Sequence, residues 1–93
     1  MIKSFRCRET DKIWDGEISL RFPIELQNMA RKKLRMLHQT TDLRELTIFP
    51  GNRLEALRGN RGGQYSIRIN QKYRICFKFI DTNCYDVELV DYH

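Results

Sequence analysis

The sequence ends on Asp91, Tyr92 and His93, which place a carboxylate, a phenol and an imidazole side by side. An imidazole titrates near neutral pH, so it can accept or release a proton under ordinary conditions. Four arginines precede these residues, in and between segments with strand-like patterns: Arg58, Arg61, Arg68 and Arg74. Guanidinium groups bind phosphate-like anions through forked hydrogen bonds. Together these residue types predict acid/base chemistry on a polyanion.

The length and charge of the chain limit what can hold this chemistry. A chain of 93 residues forms one domain and buries about 60–65% of its unfolded surface, so we predict a single domain over residues 1–93. Seventeen Lys and Arg residues against twelve Asp and Glu give a formal net charge of +5. This balance steers anionic partners toward the protein and favours nucleic acid over a membrane surface.

Targeting signals and cysteine chemistry add little to the prediction. Residues 74–80 are mostly apolar, but charge interrupts them and they are far too short to span a bilayer, while Lys3 and Arg6 break any secretory segment. We therefore expect a soluble, intracellular protein. Cys7, Cys76 and Cys84 are odd in number and widely spaced, which predicts reduced thiols rather than disulfides or a zinc site. An exposed, oxidisable Cys84 is the alternative.

The first half of the chain has helical patterns. After a short opening strand over residues 2–7 and a weak helical turn over residues 9–15, an amphipathic helix is predicted from Pro23, in the first helical position, to about Gln39. Its core positions are Leu26, Met29, Ala30, Leu34 and Leu37. Its other face is either solvated or a groove for RNA or an acidic segment, and it carries Arg31, Lys32, Lys33 and Arg35. We interpret His38 as structural, meeting the carbonyls at the end of this helix.

The second half has strand patterns. Asp42 and Glu45 have the spacing of a capping box before a short helix through Leu46, and residues 54–58 start a sheet or hairpin. Three alternating runs then follow, at residues 65–69, 73–79 and 85–89. We predict an α+β fold with a small, mostly antiparallel sheet of four to five strands and two to three helices packed on one face. The residues predicted to point away from the helices are Ser66, Arg68, Arg74, Lys78, Glu88 and Tyr92.

Four segments together resemble the HigB branch of the RelE-like bacterial toxins, and the resemblance covers essentially the whole chain. They are the opening Met1-Ile2-Lys3-Ser4-Phe5, the central Leu57-Arg58-Gly59-Asn60-Arg61-Gly62, the strand Tyr73-Arg74-Ile75-Cys76-Phe77 and the final Asp91-Tyr92-His93. The resemblance implies a small antiparallel-rich sheet with packed helices. It also implies a bacterial cytoplasmic toxin that cleaves mRNA in the ribosomal aminoacyl site, without a metal or another cofactor.

The resemblance also implies roles for the candidate residues. His93 transfers a proton, Arg74 and Arg61 hold the scissile phosphate, and Tyr92 stacks on a base or orients the 2′-hydroxyl. Asp91 positions His93, while Arg58 and Arg68 join Arg61 and Arg74 in binding RNA. Some relatives carry His or Lys near the position of Glu55, so the general base is either Glu55 or His93.

By resemblance, the partners are mRNA and rRNA on the ribosome and an antitoxin with a helix-turn-helix, whose complex with the toxin binds operator DNA. Two other functions are compatible with the sequence. One is a toxin of the same fold that poisons DNA gyrase by protein binding, although the final Asp91-Tyr92-His93 argues against it. The other is a non-catalytic RNA-binding module, for which the basic loop and the aromatic residues of the sheet suffice.

Overall fold

The computed structural model describes residues 1–91, and in this range two α-helices precede a four-stranded sheet. Helix α1 spans Arg8–Trp14 and helix α2 spans Ile24–Gln39. The strands are β1 (Glu55–Ala56), β2 (Tyr65–Arg68), β3 (Tyr73–Ile80) and β4 (Asn83–Asp91). They pair in the order β1-β2-β3-β4, and every neighbouring pair is antiparallel. This arrangement confirms the predicted α+β class.

Helix α2 supplies the helical side of the core. Leu26, Ala30, Leu34 and Leu37 are buried and pack in one cluster with residues of β2, β3 and β4. The prediction that Met29 belongs to the core is wrong, because 44% of its surface is exposed. Pro23 is the N-cap and not the first helical residue, since the helix begins at Ile24. Neither helix within residues 1–91 has the length and apolarity to cross a lipid bilayer.

A buried glutamine ties the loop between the helices to α2. The Gln27 Nε2 donates to the carbonyl oxygens of Ser19 and Phe22, at 2.7 and 2.8 Å, and its Oε1 accepts from the Ser19 backbone N–H at 2.9 Å. One side chain therefore satisfies three backbone groups of an irregular segment, as burial requires. The loop residues Arg21 and Phe22 are held in place as a result.

The predicted opening strand is reduced to single bridges. Ile2 pairs in parallel with Cys84, and Phe5 pairs in parallel with Val87. The bulge of β4 described below separates these two pairing sites, so a continuous ladder does not form. The segment nevertheless covers the outer edge of β4, since Ser4 accepts from the Val87 N–H at 3.1 Å.

The capping box predicted at Asp42 and Glu45 is confirmed. The Asp42 carboxylate accepts from the Arg44 N–H at 2.9 Å, and the Glu45 carboxylate accepts from the Asp42 N–H at 3.2 Å. The helix that follows is a 3₁₀ helix spanning Leu43–Thr47. Further 3₁₀ turns at Pro50–Asn52 and Gly59–Arg61 flank the short β1.

Strand β4 changes phase in its middle. Cys76 of β3 lies opposite Glu88, whereas Lys78 lies opposite Tyr85, so β4 has one more residue than β3 in this interval. The extra residue is accommodated at Asp86, whose φ of 53° lies in the left-handed region that Asp tolerates better than most residues. The sequence prediction put Tyr85 on the core side. The bulge instead puts it on the face of Lys78, and Cys84 enters the core.

Helix α1 holds the end of β4 through one hydroxyl group. The Thr10 Oγ1 accepts from the Leu89 backbone N–H at 2.9 Å, and both residues are buried. Leu89 is two residues before Asp91, so this hydrogen bond fixes the segment that leads to the final residues of the chain. The N–H faces away from β3, where no strand of residues 1–91 supplies a ladder partner.

We expect Thr10→Val to destabilise the protein by about 1–3 kcal/mol, because it leaves the buried Leu89 N–H without an acceptor. Thr10→Ser keeps the hydroxyl and is the matched control. Urea unfolding followed by circular dichroism measures both free energies. Equal stability of the two variants would show that the Thr10 hydroxyl does not support β4.

Candidate active site

The face of the sheet away from the helices carries the predicted site residues in cross-strand rows. Arg74 of β3 lies between Arg68 of β2 and Val90 of β4. In the next row, Cys76 lies between Ser66 and Glu88. Directly opposite residues share a face, so the predicted parity of Ser66, Arg68, Arg74 and Glu88 is confirmed.

Arg74 is more buried than an arginine on an open sheet face is expected to be. Only 8% of its surface is exposed. Its Nε donates to the Ser66 Oγ at 2.7 Å, and its Nη2 donates to the carbonyl oxygens of Ser66, at 3.3 Å, and of Arg53. The Nη1 lies 3.9 Å from the Glu55 Oε1. The guanidinium plane is therefore fixed by neutral acceptors, with one carboxylate at longer range.

The acceptor from Arg53 depends on an unusual backbone conformation. Arg53 ends the 3₁₀ turn Pro50–Asn52 with a φ of 43°. This left-handed residue separates the turn from β1 and accompanies a carbonyl directed at Arg74. No sequence pattern marks Arg53 as a partner, since the contact is made by its backbone and its side chain is a cation.

Arg61 is fixed by a different acid. Its Nη1 donates to the Glu88 Oε1 at 2.7 Å and to the Gln64 Oε1 at 3.3 Å. The same Glu88 oxygen lies 4.0 Å from the Nε of Arg6. The alternative that Glu88 pairs with Arg68 or Arg74 is therefore wrong: β4 brings Glu88 under the Gly59–Arg61 turn instead.

The candidate residues divide between two clefts. The Arg74 cleft has a volume of about 320 Å³ and is lined by Arg53, Glu55, Arg68, Asn70, Gln71 and Arg74. The Arg61 cleft has a volume of about 800 Å³, and the residues used below are Arg6, Arg8, Arg21, Arg61, Glu88 and Asp91. Arg58 is exposed and lines neither cleft. The structure thus brings Glu55, Arg68 and Arg74 together, and separately brings Arg61 close to Asp91.

Cys76 connects the two groups of residues electrostatically. Its side chain is fully buried, and burial raises the pKa of the thiol. The charges of Arg61 and Arg74 oppose this increase in the pKa, whereas the charge of Glu88 adds to it. Both guanidinium groups therefore act on one thiol, which means that the two clefts are neighbours on the same face.

Asp91 is the last described residue, so the predicted Tyr92 and His93 lie outside the described residues. Asp91 is opposite Tyr73 of β3, and its carboxylate lies 3.5 Å from the Lys72 Nζ. Its predicted role in positioning His93 stays a prediction. Within residues 1–91 there is no group of three or more His, Cys, Asp or Glu side chains arranged to hold a metal ion.

The remaining histidine and thiols belong to the interior. The His38 Nδ1 accepts from the Ile2 backbone N–H at 3.2 Å, and its ring packs 5.1 Å from that of Trp14. The structural interpretation of His38 is confirmed, although its partner is the N-terminal segment rather than the helix carbonyls. The alternative of an exposed Cys84 is wrong, because it is fully buried and burial raises its pKa to about 11.

A family model described as "RelE-like toxin of type II toxin-antitoxin system HigB" matches residues 3–93. The chain belongs to this HigB-like toxin family. It is 28% identical over 95 residues to "Endoribonuclease HigB" of Proteus vulgaris, with full coverage of both chains. It is 41% identical over 59 residues to "Toxin HigB-1" of Vibrio cholerae, in a match that spans 63% of this chain and 62% of that relative.

Solved structures show the same fold for this HigB-like toxin. The toxin of the "YoeB-YefM complex from Staphylococcus aureus" superposes with a TM-score of 0.61 and 17% sequence identity, covering 100% of this chain and 95% of the other. A heterotetrameric YoeB-YefM complex from the same organism gives a TM-score of 0.59 at 19% identity, with the same coverage. At these identities the likeness concerns the fold, and it agrees with the RelE-like architecture predicted from the sequence.

We expect alkylation of the native protein at about pH 8 to modify Cys7 and to leave Cys76 and Cys84 unmodified. The thiolate is the reactive form, and burial both raises the pKa of Cys76 and Cys84 and blocks the reagent. Peptide mass spectrometry after iodoacetamide treatment measures this, with urea-unfolded protein as the control in which all three react. Rapid modification of native Cys76 would show that the site face is not packed as described.

Proposed function

We propose that this HigB-like toxin is an endoribonuclease that cleaves mRNA in the ribosomal aminoacyl site and thereby stops translation and growth. Membership of the toxin family and full-length similarity to a relative named endoribonuclease support this function. The observation that carries it is the fixed guanidinium of Arg74, which lies beside Arg68 and opposite Val90 at the end of β4. A phosphate-binding group is thereby held three residues before the only histidine near the end of the sequence.

The proposed reaction uses the RNA itself as nucleophile. The 2′-oxygen attacks the adjacent phosphorus, the new 2′-O–P bond forms, and the P–O5′ bond breaks. A base removes the 2′-hydroxyl proton, and an acid gives a proton to the departing 5′-oxygen. The products are a 2′,3′-cyclic phosphate and a 5′-hydroxyl, so the balance requires no metal ion, no cofactor and no added water.

Arg74 is the proposed electrostatic group for the phosphate. Its neutral acceptors, Ser66 and the Arg53 carbonyl, fix the guanidinium plane without neutralising it. Its separation from Glu55 is 3.9 Å, so a phosphate oxygen competes readily for the same cation. Arg68 lines the same cleft, with its Nε donating to the Asn70 carbonyl at 3.0 Å. A fixed charge directed at the developing negative charge is a large contribution in such reactions.

We assign proton transfer to His93 and a positioning role to Glu55. The Glu55 carboxylate is close to Arg74 and 54% of its side chain is exposed, which suits a replaceable counterion better than a base held against phosphate. Two residues separate His93 from Asp91, and two extended residues span at most about 7 Å, so the imidazole is within reach of the Arg74 cleft. Tyr92 stacks on a base or orients the 2′-hydroxyl, and Asp91 orients His93, in this proposal.

The proposed partners follow from the family. The solved neighbours are toxins in complex with an antitoxin. We propose that this toxin is likewise neutralised by an antitoxin, one that carries a helix-turn-helix and binds operator DNA as a complex. The ribosome supplies the message, and the cytoplasm is the proposed location. Copurification with the product of an adjacent helix-turn-helix gene tests this partner.

We expect Arg74→Ala and deletion of His93 each to abolish growth arrest on induction. Loss of a fixed electrostatic donor costs about 10²–10³ in rate, and loss of an acid or base costs about 10²–10⁴. Primer extension on cellular transcripts, and cleavage of a defined message with and without ribosomes, measure the activity. Circular dichroism and antitoxin binding establish that each variant is folded.

Arg74→Lys is the matched variant for charge: it keeps the cation, loses the fork and should retain only a small part of the activity. Full toxicity of both Arg74→Ala and the His93 deletion would remove this site from consideration. Intact mRNA with DNA damage would indicate a gyrase poison, and RNA binding without growth arrest would indicate a non-catalytic module.

We expect Glu55→Gln to change kcat by less than about tenfold and to leave the acidic limb of the pH–rate profile in place, because the proposed base is His93. Single-turnover cleavage on programmed ribosomes across a pH series measures both. A loss of about 100-fold or more, together with loss of that limb, would transfer the role of general base to Glu55.

A further inference from the structure

The Arg61 cleft contains more positive charge than the proposed reaction uses. Four guanidinium groups line it, and they come from three separate parts of the chain. Arg6 and Arg8 belong to the N-terminal segment and the start of α1, Arg21 belongs to the loop between the helices, and Arg61 belongs to the Gly59–Arg61 turn. Glu88 and Asp91 are the carboxylates in the same lining. The convergence of separate segments makes this a concave surface rather than one solvated helix face.

These arginines are positioned by the fold. The Arg6 backbone N–H donates to the Val87 carbonyl at 3.0 Å, which ties this residue to β4. Arg21 follows the Ser19 segment held by Gln27, and its Nη1 contacts the Cys7 Sγ at 3.6 Å. Arg61 is anchored by its 2.7 Å hydrogen bond to Glu88. The cations are thus held around the cleft before any ligand binds.

The charges within the cleft are only partly balanced. Glu88 pairs with both Arg61 and Arg6 through one oxygen. Arg8 and Arg21, by contrast, have no carboxylate oxygen within 4.0 Å in the described part of the chain. Cations collected in one cleft repel each other, and an anion that enters removes this repulsion. The cleft is therefore suited to a ligand with more than one negative charge.

We propose that the Arg61 cleft binds backbone phosphates of RNA that flank the scissile linkage, as a subsite separate from the Arg74 cleft. This inference rests on the proposed function, because it takes RNA as the substrate. Asp91 lines the subsite and Val90 lies opposite Arg74, so one strand end separates the two clefts. A single RNA strand that crosses the end of β4 contacts both. The lining is polar and cationic, which fits phosphate and gives no readout of base identity.

Glu88 has a specific place in this subsite. Its side chain is 14% exposed and its carboxylate occupies the side of Arg61 that faces the cleft lining. It orients two cations, and it also competes with phosphate for them. Removing its charge while keeping its hydrogen-bonding amide should therefore strengthen RNA binding. A purely structural ion pair predicts the opposite, or no change.

The test is a comparison of RNA binding by Arg6→Gln/Arg21→Gln and Glu88→Gln with the unmodified toxin. The control is Arg44→Gln, which removes the same type of charge from an arginine that is 90% exposed, pairs with Asp42 and lines neither cleft. The probe is a fluorescently labelled single-stranded RNA with 2′-O-methyl groups, which cannot be cleaved. Its affinity is measured by anisotropy over a series of salt concentrations.

Each lost phosphate contact on single-stranded RNA should lower the slope of log affinity against log salt by about 0.7, which corresponds to about fivefold weaker binding at roughly 0.1 M salt. The double variant should therefore bind about 25-fold more weakly, and Glu88→Gln should bind more tightly. In cleavage on programmed ribosomes, the double variant should raise KM and leave kcat within about twofold.

A second arm identifies the source of the phosphate. If the double variant loses affinity for the free RNA probe, the subsite binds the message; if it loses affinity only for ribosomes without mRNA, the subsite binds rRNA phosphates. Both outcomes support an RNA phosphate subsite. Affinity, salt slope and KM equal to those of Arg44→Gln in both arms would overturn it.

This experiment separates the subsite from the proposed function. If the unmodified toxin cleaves mRNA and Arg74→Ala does not, the function stands whatever the double variant does. If the unmodified toxin cleaves nothing, the function fails, and the salt dependence of probe binding still decides whether the Arg61 cleft binds RNA.

Discussion

The pairing of β3 with β4 determines where every candidate group lies. It puts Arg74 opposite Val90 and Cys76 opposite Glu88, so the phosphate-binding arginine is close to the end of the chain. The register depends on the bulge at Asp86, since shifting β4 by one residue exchanges its core and site faces. A two-residue β1 and a single hydroxyl of α1 complete this arrangement. The acid/base and electrostatic groups are therefore placed by backbone pairing more than by contacts among themselves.

The burial of Arg74 explains why the site requires arginine. A buried cation must have its N–H groups satisfied, and Arg74 meets this through the Ser66 hydroxyl and two backbone carbonyls. A lysine has one donor nitrogen and cannot reach this set of acceptors in one plane. Since the acceptors are neutral, the positive charge remains for a ligand. The Glu88 pair of Arg61 is different, because there a carboxylate already shares the cation.

The sequence predicted the features that depend on local pattern. The three- and four-residue spacing of Leu26, Ala30, Leu34 and Leu37 indicated α2, and strand alternation assigned Arg68 and Arg74 to the site face. It could not predict the features that depend on tertiary contacts. The left-handed Asp86 has no sequence signature, so Tyr85 was assigned to the wrong face. The division into two clefts, the Glu88 contact with Arg61 and the Arg53 carbonyl each join segments that are distant in sequence.

The N-terminal segment has a consequence for how any protein inhibitor can act. The outward N–H groups of Cys84 and Val87 donate to the carbonyls of Met1 and Ser4, and that of Leu89 donates to Thr10. These groups of β4 are therefore not available for β-augmentation, in which a partner's extended peptide extends the sheet. The same occupation protects the strand from edge-to-edge aggregation, to which an unpaired edge is prone. Inhibition of this toxin must then operate through side-chain surfaces or through the short edge at β1.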